Sequence, residues 1–242
     1  METQRTALIT GANKGIGFET ARQLAEAGLR VHLAARDRAR GEEAVQRLVD
    51  RGLDVRFVQL DVQDPGSIDA AARTIGQEAE SLDVLVNNAG VASWQDGGPE
   101  ATSLEVVRAM LETNFIGALA VTRAMLPLLL AAPAPRVVNV SSALGSLAVN
   151  GDRTSPFFTS RLLGYNASKA ALNLLTVQLD AEYRERGLTA FSVSPGFAKT
   201  DLLGGIGDIT AEEGAAVVAG AVLDPSTAAA GRHLSADGDI PW

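Results

Sequence analysis

The stretch TALITGANKGIG, residues 6–17, decides the fold because a short apolar run leads directly into a turn that contains three glycines. Gly11, Gly15 and Gly17 have the spacing GxxxGxG, and the residues that follow, 15–28, have the apolar spacing of a helix. A glycine-rich turn between a strand and a helix lets backbone amides and the helix N-terminus approach a pyrophosphate. The stretch therefore predicts a strand–turn–helix unit with a dinucleotide site, although such a turn alone could also be purely structural.

The rest of the chain alternates short apolar runs with longer amphipathic segments. Strands are predicted at 6–10, 30–34, 55–60, 83–88, 136–142 and 188–194, with a weaker seventh near 232–236. Helices are predicted at 15–28, 38–51, 66–80, 103–131 and 164–186. Strands that are apolar on both faces and alternate with helices indicate a parallel sheet covered on both sides. We therefore expect an α/β fold of the Rossmann type, a doubly wound parallel sheet with helices on both faces.

The composition argues against several classes of function. The 242 residues include 21 Lys and Arg against 29 Asp and Glu, a net charge of −8, which disfavours a nucleic acid or an anionic membrane as partner. No cysteine is present, and His32 and His233 lie far apart in sequence, so we expect neither a disulfide nor a metal site. The first residues do not resemble a signal peptide, and no apolar run approaches the ~20 residues that span a bilayer. Without a linker or repeat, residues 1–242 are expected to form one soluble, cytoplasmic domain.

The end of the second predicted strand indicates which dinucleotide binds. NAD-binding proteins commonly place an acid there for the ribose 2′-hydroxyl, whereas a 2′-phosphate calls for a cation. Here that position is Ala35, followed by Arg36, and Lys14 in the glycine turn adds a second positive charge. The pattern favours NADPH over NADH. Arg36 and Lys14 could instead be ordinary surface residues, and the adjacent Asp37 weakens the inference, so an NAD-dependent enzyme stays an alternative.

A tyrosine and a lysine stand four residues apart in the segment GYNASK, residues 164–169. In a helix this spacing brings Tyr165 and Lys169 to one face. The ammonium favours the phenolate, so we expect it to lower the pKa of Tyr165 from its ordinary ~10 toward the working range of a general acid. Ser142, at the end of the strand 136–142, can bond a substrate oxygen, because open α/β sheets place their ligand crevices at such strand ends. The alternative is an ordinary surface pair.

Seven motifs in order carry a resemblance to a known family. They are TGANKGIG at 10–17, LDV at 60–62, NNAG at 87–90, TNFIG at 113–117, NVSS at 139–142, YNASK at 165–169 and PGFAKTD at 195–201. Over nearly its whole length the chain resembles the short-chain dehydrogenase/reductase family, in its compact single-domain branch. The NKGIG turn and the AARD strand end are most similar to those of NADPH-dependent carbonyl reductases. The resemblance implies an oxidoreductase that reversibly reduces a ketone or aldehyde to an alcohol with hydride from NADPH.

The resemblance also implies a cofactor site. Residues 61–62 should lie at the adenine ring, 88–90 along the adenosine ribose and 195–197 at the nicotinamide, with Thr200 bonding its carboxamide or a phosphate. An acid that caps a turn, or a Pro-Gly that closes a strand, is the structural alternative. The implied cofactor residues are Gly11, Asn13, Lys14, Gly15, Ile16, Gly17, Arg36, Asp61, Val62, Asn88, Ala89, Gly90, Tyr165, Lys169, Pro195, Gly196, Phe197 and Thr200.

The implied catalytic group adds one residue to the three named above. By the family pattern Asn114 positions the lysine through water and extends a proton path to solvent, while Lys169 also holds the nicotinamide ribose. The catalytic residues are then Asn114, Ser142, Tyr165 and Lys169.

The gap between Ser142 and Tyr165 is the main departure from the family. Its 22 residues form a longer segment than most members have, and Gly and Pro mark an inserted loop at about 146–160. Some carbonyl reductases with a longer insertion at this place are monomers, so both a homo-oligomer and a monomer stay open. Together with Val91 and a substrate loop at about 197–210, the insertion should wall an apolar cleft for a sizeable apolar carbonyl substrate. The expected substrate contacts are Trp94, Ser142, Phe157, Tyr165 and Leu202.

The sequence allows two other interpretations. Leu202 and its neighbours could form a core-facing helix turn rather than a cleft wall. The whole chain could also be a catalytically silent NADP(H)-binding sensor, although a sensor has no need for all four catalytic residues. Enoyl reductases have a wider Tyr to Lys spacing and sugar epimerases another glycine pattern, so neither matches.

Overall fold

A single sheet organises the chain in the computed structural model, which describes residues 4–224 and 231–242. The strands are β1 (Thr6–Ile9), β2 (Arg30–Ala35), β3 (Val55–Gln59), β4 (Val84–Asn87), β5 (Arg136–Val140), β6 (Thr189–Val193), β7 (His233–Ser235) and β8 (Gly238–Asp239). Their order is β3-β2-β1-β4-β5-β6-β7-β8. The pairs from β3 to β7 are parallel, and only β8 pairs antiparallel with β7. The predicted doubly wound fold is confirmed. The two-residue strand β8 was not predicted.

Helices connect the strands on both faces of the sheet. They are α1 (Gly15–Glu26), α2 (Arg38–Val49), α3 (Pro65–Glu78), α4 (Leu104–Leu111), α5 (Ala118–Leu129), α6 (Leu147–Gly151), α7 (Leu163–Tyr183) and α8 (Ala211–Leu223). Short 3-10 turns lie at Ala143–Gly145, Arg184–Arg186 and Asp201–Leu203. The sequence reading missed α8, although Thr210 and Glu213 form a capping box at its start.

The sequence predicts one continuous helix over 103–131, and the prediction of its continuity is wrong. A π-helical segment, Glu112–Gly117, separates α4 from α5. π-helical turns of this kind occur mostly as local bulges and frequently at functional sites. This one contains Asn114, and an added Cβ at Gly117 would lie only 2.9 Å from Val62, so glycine is needed where the π segment meets the loop after β3.

The two faces of the sheet bury separate cores. Along β1 the side chains alternate, so that Ala7 and Ile9 lie in the core with α1, α2 and α8, whereas Leu8 lies in the core with α3, α5 and α7. All three are fully buried. Burial on both faces explains why the central strands are apolar at consecutive positions rather than at alternate ones.

The strand order reverses between β1 and β4, and this is where open α/β sheets bind ligands. The predicted glycine turn follows β1, and the NNAG motif spans the end of β4. Ser142 follows β5 and the Pro-Gly pair follows β6. The predicted site residues therefore gather at one edge. Across residues 4–224 and 231–242, no helix has the length and apolar character needed to cross a membrane.

Candidate active site

The glycine turn packs tightly against the segment after β4. Gly11 and Gly15 adopt positive φ values of 62° and 60°, which disfavour other residues. An added Cβ at Gly17 would lie 2.3 Å from Asn88 Nδ2, and one at Gly15 would lie 3.4 Å from Thr200 Cγ2. Within residues 4–224 and 231–242, no side-chain hydrogen bond caps α1 at its N-cap, so the amides of its first turn suit an anionic ligand. The turn therefore has the form that a pyrophosphate requires.

Asn88 holds the glycine turn in place through its side chain. Its Nδ2 donates to the carbonyl oxygens of Thr10 (2.8 Å) and Gly11 (3.1 Å). The Thr10 hydroxyl in turn accepts from the amides of Asn88 and Ala89, both at 3.0 Å. Sequence reasoning missed Thr10, for which the only signal is a hydroxyl residue directly before the first glycine of the turn. The side chains of Asn88 and Thr10 thus join the ends of β1 and β4 next to the predicted cofactor site.

The two cations predicted to bind a 2′-phosphate differ in their surroundings. Arg36 is exposed, and its guanidinium makes no ion pair within the described part of the chain. Lys14 Nζ lies 2.8 Å from Asp201 Oδ2 in an exposed ion pair, which holds the pKa of Asp201 below its usual range. Asp37, which weakened the NADPH reading, accepts from the Arg40 amide at 3.0 Å and caps α2. The carboxylate of Asp37 is thus engaged at the helix end, next to Arg36.

Asp61 has the turn geometry that was considered as its structural alternative. Its carboxylate accepts from the Gln63 amide at 3.0 Å, and its own amide donates to the Ser67 hydroxyl at 3.0 Å. The residue is only partly buried, so these bonds leave one side of it accessible at the carboxyl edge. An adenine contact for Asp61 and Val62 stays a prediction.

The four predicted catalytic residues come together from three elements. Lys169 is buried, and its ammonium donates to the Val140 carbonyl oxygen at 2.8 Å. The same ammonium lies 5.7 Å from the centre of the Tyr165 ring, and the nearby Ser142 hydroxyl favours the ionised form of the Tyr165 phenol. An added Cβ at Gly90 would lie 3.4 Å from Asn114 Oδ1 and 3.6 Å from Lys169 Nζ, so these two atoms flank Gly90.

Asn114 is fixed by three hydrogen bonds of its side-chain amide. Its Oδ1 accepts from the Val91 amide at 2.8 Å, and its Nδ2 donates to the Val91 carbonyl at 3.0 Å. Nδ2 also donates to the Ser168 hydroxyl at 2.9 Å. Ser168 is the neighbour of Lys169 on α7 and was not predicted. The π segment thus aims Asn114 at both the NNAG loop and the catalytic helix.

Burial shifts both titratable groups of the site. The pKa of Tyr165 is raised to about 12 because burial disfavours the phenolate, and the hydrogen bond with Ser142 opposes the shift. Burial lowers the pKa of Lys169 to about 8, because it disfavours the ammonium. The expectation of a lowered pKa for Tyr165 is therefore wrong for the protein chain by itself, where desolvation is the largest cause of the shift.

The chain matches the family described as short chain dehydrogenase over residues 5–213. It belongs to the short-chain dehydrogenase/reductase family. The chain is accordingly an oxidoreductase of this family, as its motifs and its sheet indicate.

Characterised relatives are similar over most of their length. The chain is 36% identical over 248 residues to carbonyl reductase (NADPH) 3 of Mus musculus, covering 87% of this chain and 88% of that protein. It is 34% identical over 290 residues to salutaridine reductase of Papaver bracteatum, covering 94% and 93%. The structure of NADPH-bound carbonyl reductase from chicken fatty liver superposes with a TM-score of 0.87 at 30% identity, covering 99% of both chains.

Three apolar side chains of the predicted substrate cleft are exposed in this short-chain dehydrogenase. Trp94 is 71% exposed, Leu202 41% and Phe157 40%, so Leu202 does not face the core. An added Cβ at Gly204 would lie 4.0 Å from the Trp94 ring, so the loop that carries Leu202 approaches Trp94. The base of that loop is closed by a bond from the Lys199 amide to the Ile209 carbonyl at 2.8 Å. Substrate contacts for Trp94, Phe157 and Leu202 stay predictions.

The inserted segment packs against the outer side of α7. Asn166, next to Tyr165, donates to Asn150 Oδ1 at 2.9 Å and to the Ser160 carbonyl at 3.1 Å. A largely apolar cavity of about 310 Å³ lies between the insertion and this side of the helix. The segment predicted as a loop at 146–160 contains the helix α6 and is tied to the catalytic helix.

Proposed function

We propose that this short-chain dehydrogenase reduces a ketone or aldehyde to an alcohol with NADPH, in a reaction that is reversible. The observation that carries the proposal is the convergence of Asn114, Ser142, Tyr165 and Lys169 beside the glycine turn. A phenol near the Ser142 hydroxyl and next to a buried ammonium is suited to protonate an oxygen that gains negative charge.

The residues have separate tasks in this reaction. NADPH held at the glycine turn would supply the hydride that the carbonyl carbon receives. Tyr165 gives its phenolic proton to the carbonyl oxygen as the negative charge develops there, and the Ser142 hydroxyl donates a hydrogen bond to the same oxygen. The alcohol that results has gained one hydride and one proton.

Lys169 and Asn114 support the tyrosine. Because the pKa of Lys169 is about 8, its ammonium persists at neutral pH and stabilises the phenolate left behind. The bond to the Val140 carbonyl keeps that ammonium close to the ring. Asn114 holds the segment beside Lys169 through Ser168 and Val91, so that the return of a proton to Tyr165 starts from a fixed geometry.

Two features support NADPH as the cofactor. Ala35 leaves no acid to bind a 2′-hydroxyl, and the neighbouring Arg36, whose guanidinium has no ion pair among the described residues, can take a 2′-phosphate with paired donors. The relatives named above agree, since two of them carry NADPH in their names or structures. The exposed rim of Trp94 and Leu202 supports a substrate with a sizeable apolar body.

The test is Tyr165→Phe, which removes only the phenolic oxygen. Loss of the general acid should lower kcat for carbonyl reduction by roughly 100- to 10,000-fold, whereas the Kd of NADPH, measured by fluorescence, should change far less. Tyr183→Phe is the matched control, because this second tyrosine ends the same helix away from the site. Near-normal turnover by Tyr165→Phe over a panel of aliphatic, aryl and polycyclic ketones would contradict the proposal. NADPH binding without turnover of any substrate by the parent protein would favour the sensor.

A further inference from the structure

The catalytic helix α7 begins without a capping side chain of its own. Leu162 is its N-cap residue and offers no side-chain hydrogen bond. The first three amides of the helix are satisfied instead by a segment far away in sequence. Leu163 N donates to the Gly97 carbonyl at 2.8 Å, and Tyr165 N donates to Asp96 Oδ2 at 2.8 Å. Gly164 N donates to Asp96 Oδ1 at 3.0 Å.

Asp96 is itself held firmly. Its Oδ1 also accepts from the Gly97 amide at 2.9 Å and from the Thr102 hydroxyl at 3.0 Å. The helix end lies close to α4, since an added Cβ at Gly164 would be 3.2 Å from Val107 Cα and 3.4 Å from Asp96 Oδ1. A carboxylate at a helix N-terminus is also stabilised by the helix dipole. The contact is therefore both charge-assisted and sterically confined.

The segment that ends at Asp96 starts at Val91, which is bonded to the catalytic residue Asn114. Val91 binds the Asn114 side chain through both its amide and its carbonyl. Between Val91 and Asp96 lies Trp94, the exposed side chain of the substrate rim. One short segment thus touches Asn114 at its beginning and the backbone of Tyr165 at its end.

We propose that Asp96 is a positioning residue for Tyr165. Its carboxylate fixes the position of the first turn of α7. It thereby fixes the position of the Tyr165 phenol relative to Asn114 and to Trp94. The inference rests on the proposed function, because its effect is observed through proton transfer by Tyr165. Displacement of a reacting group by about 1 Å can cost roughly 100-fold in rate. Asp96 is hydrogen-bonded to the backbone amide of Tyr165, so a shift of this cap should change kcat.

The experiment compares Asp96→Asn, Asp96→Ala and Thr102→Val with Asp64→Asn. Asp64→Asn is the matched control, because Asp64 caps α3 by accepting from the Gly66 amide and lies outside the catalytic group. We expect kcat to fall roughly 10- to 100-fold in Asp96→Ala and less in Asp96→Asn, which keeps one acceptor oxygen, while KM for NADPH stays within about twofold. Thr102→Val should lower kcat to a smaller extent, and combining it with Asp96→Asn should give less than the sum of the two effects.

The outcomes separate positioning from simple stability. If Asp96→Asn and Thr102→Val lower Tm as much as Asp64→Asn does and leave kcat unchanged, the role assigned to Asp96 is wrong. A rise of KM for NADPH with constant kcat would also overturn it. Thr102→Val leaves the carboxylate in place and so provides a folded variant if Asp96→Ala does not fold. An inactive Tyr165→Phe together with a fully active Asp96→Asn would refute the role of Asp96 alone, whereas an active Tyr165→Phe would refute the proposed function.

Discussion

The ammonium of Lys169 donates a 2.8 Å hydrogen bond to the carbonyl oxygen of Val140, the last residue of β5. Ser142 follows only two residues later in the sequence. The bond therefore joins the helix that carries the general acid to the strand end that precedes Ser142. The position of Tyr165 relative to Ser142 therefore depends on Lys169 as well as on the helix.

The charge of Lys169 should control the pH dependence of carbonyl reduction. Burial lowers the pKa of Lys169 to about 8, so the ammonium is present below that pH and is lost as the pH rises through it. We expect kcat for reduction, measured at saturating NADPH from pH 6 to 10, to fall above about pH 8. Lys169→Met should lower kcat by roughly 100-fold or more at neutral pH and abolish this limb. A limb that persists in Lys169→Met would show that another group titrates.

Arg36 should account for most of the preference for NADPH. Hydrogen bonds to a charged phosphate contribute about 1.5–3 kcal/mol, so Arg36→Ala should raise KM for NADPH by roughly 10- to 100-fold. KM for NADH should not change, because NADH lacks the 2′-phosphate. Arg38→Ala is the matched control, since Arg38 is already paired with Glu42 at 3.0 Å.

Lys14 should contribute less than Arg36 to the binding of NADPH. Its ammonium must leave Asp201 before it can bind a phosphate, so Lys14→Ala should weaken NADPH binding less than Arg36→Ala does. Steady-state kinetics with both cofactors provide the measurement. Equal KM values for NADPH in the parent and in Arg36→Ala would remove the argument for a phosphate at this strand end.

Two buried histidines should make the fold sensitive to acid. Burial lowers the pKa of His32 to about 4, and that of His233 likewise. Between about pH 6.5 and 4 the unfolded chain binds these protons and the folded chain does not, so the free energy of unfolding should fall as the pH falls through this window. Each histidine can contribute at most about 3 kcal/mol to this loss.

His32→Leu tests the origin of that acid sensitivity. Neither ring nitrogen of His32 has a hydrogen-bond partner among the described residues, so leucine removes no bond and keeps the apolar contacts. Urea unfolding at pH 7 should show equal or higher stability in His32→Leu, with a weaker decline toward pH 4. An unchanged decline would mean that carboxylates, rather than His32, dominate acid unfolding.

Much of the fold could be predicted because its signals are local. The strand positions follow from runs of apolar residues, and β7 was found near its predicted place despite its weak pattern. The missed α8 has few strongly amphipathic positions, but its capping box was readable from Thr210 and Glu213. The break at Glu112–Gly117 left no periodic signal, because the apolar spacing continues across it and the π turn depends on contacts with Val62 and Val91.

The amino-acid sequence by itself determined the alternation of strands and helices along the chain, the glycine turn and the identity of the four clustered side chains. These depend on apolar periodicity, on the steric need for glycine and on residue spacing, which are properties of neighbouring residues. Only the tertiary structure decided that Asp96 caps the helix of Tyr165 and that burial raises rather than lowers the pKa of that tyrosine. Both depend on groups distant in sequence and on the removal of water, because desolvation is set by everything that packs around a side chain.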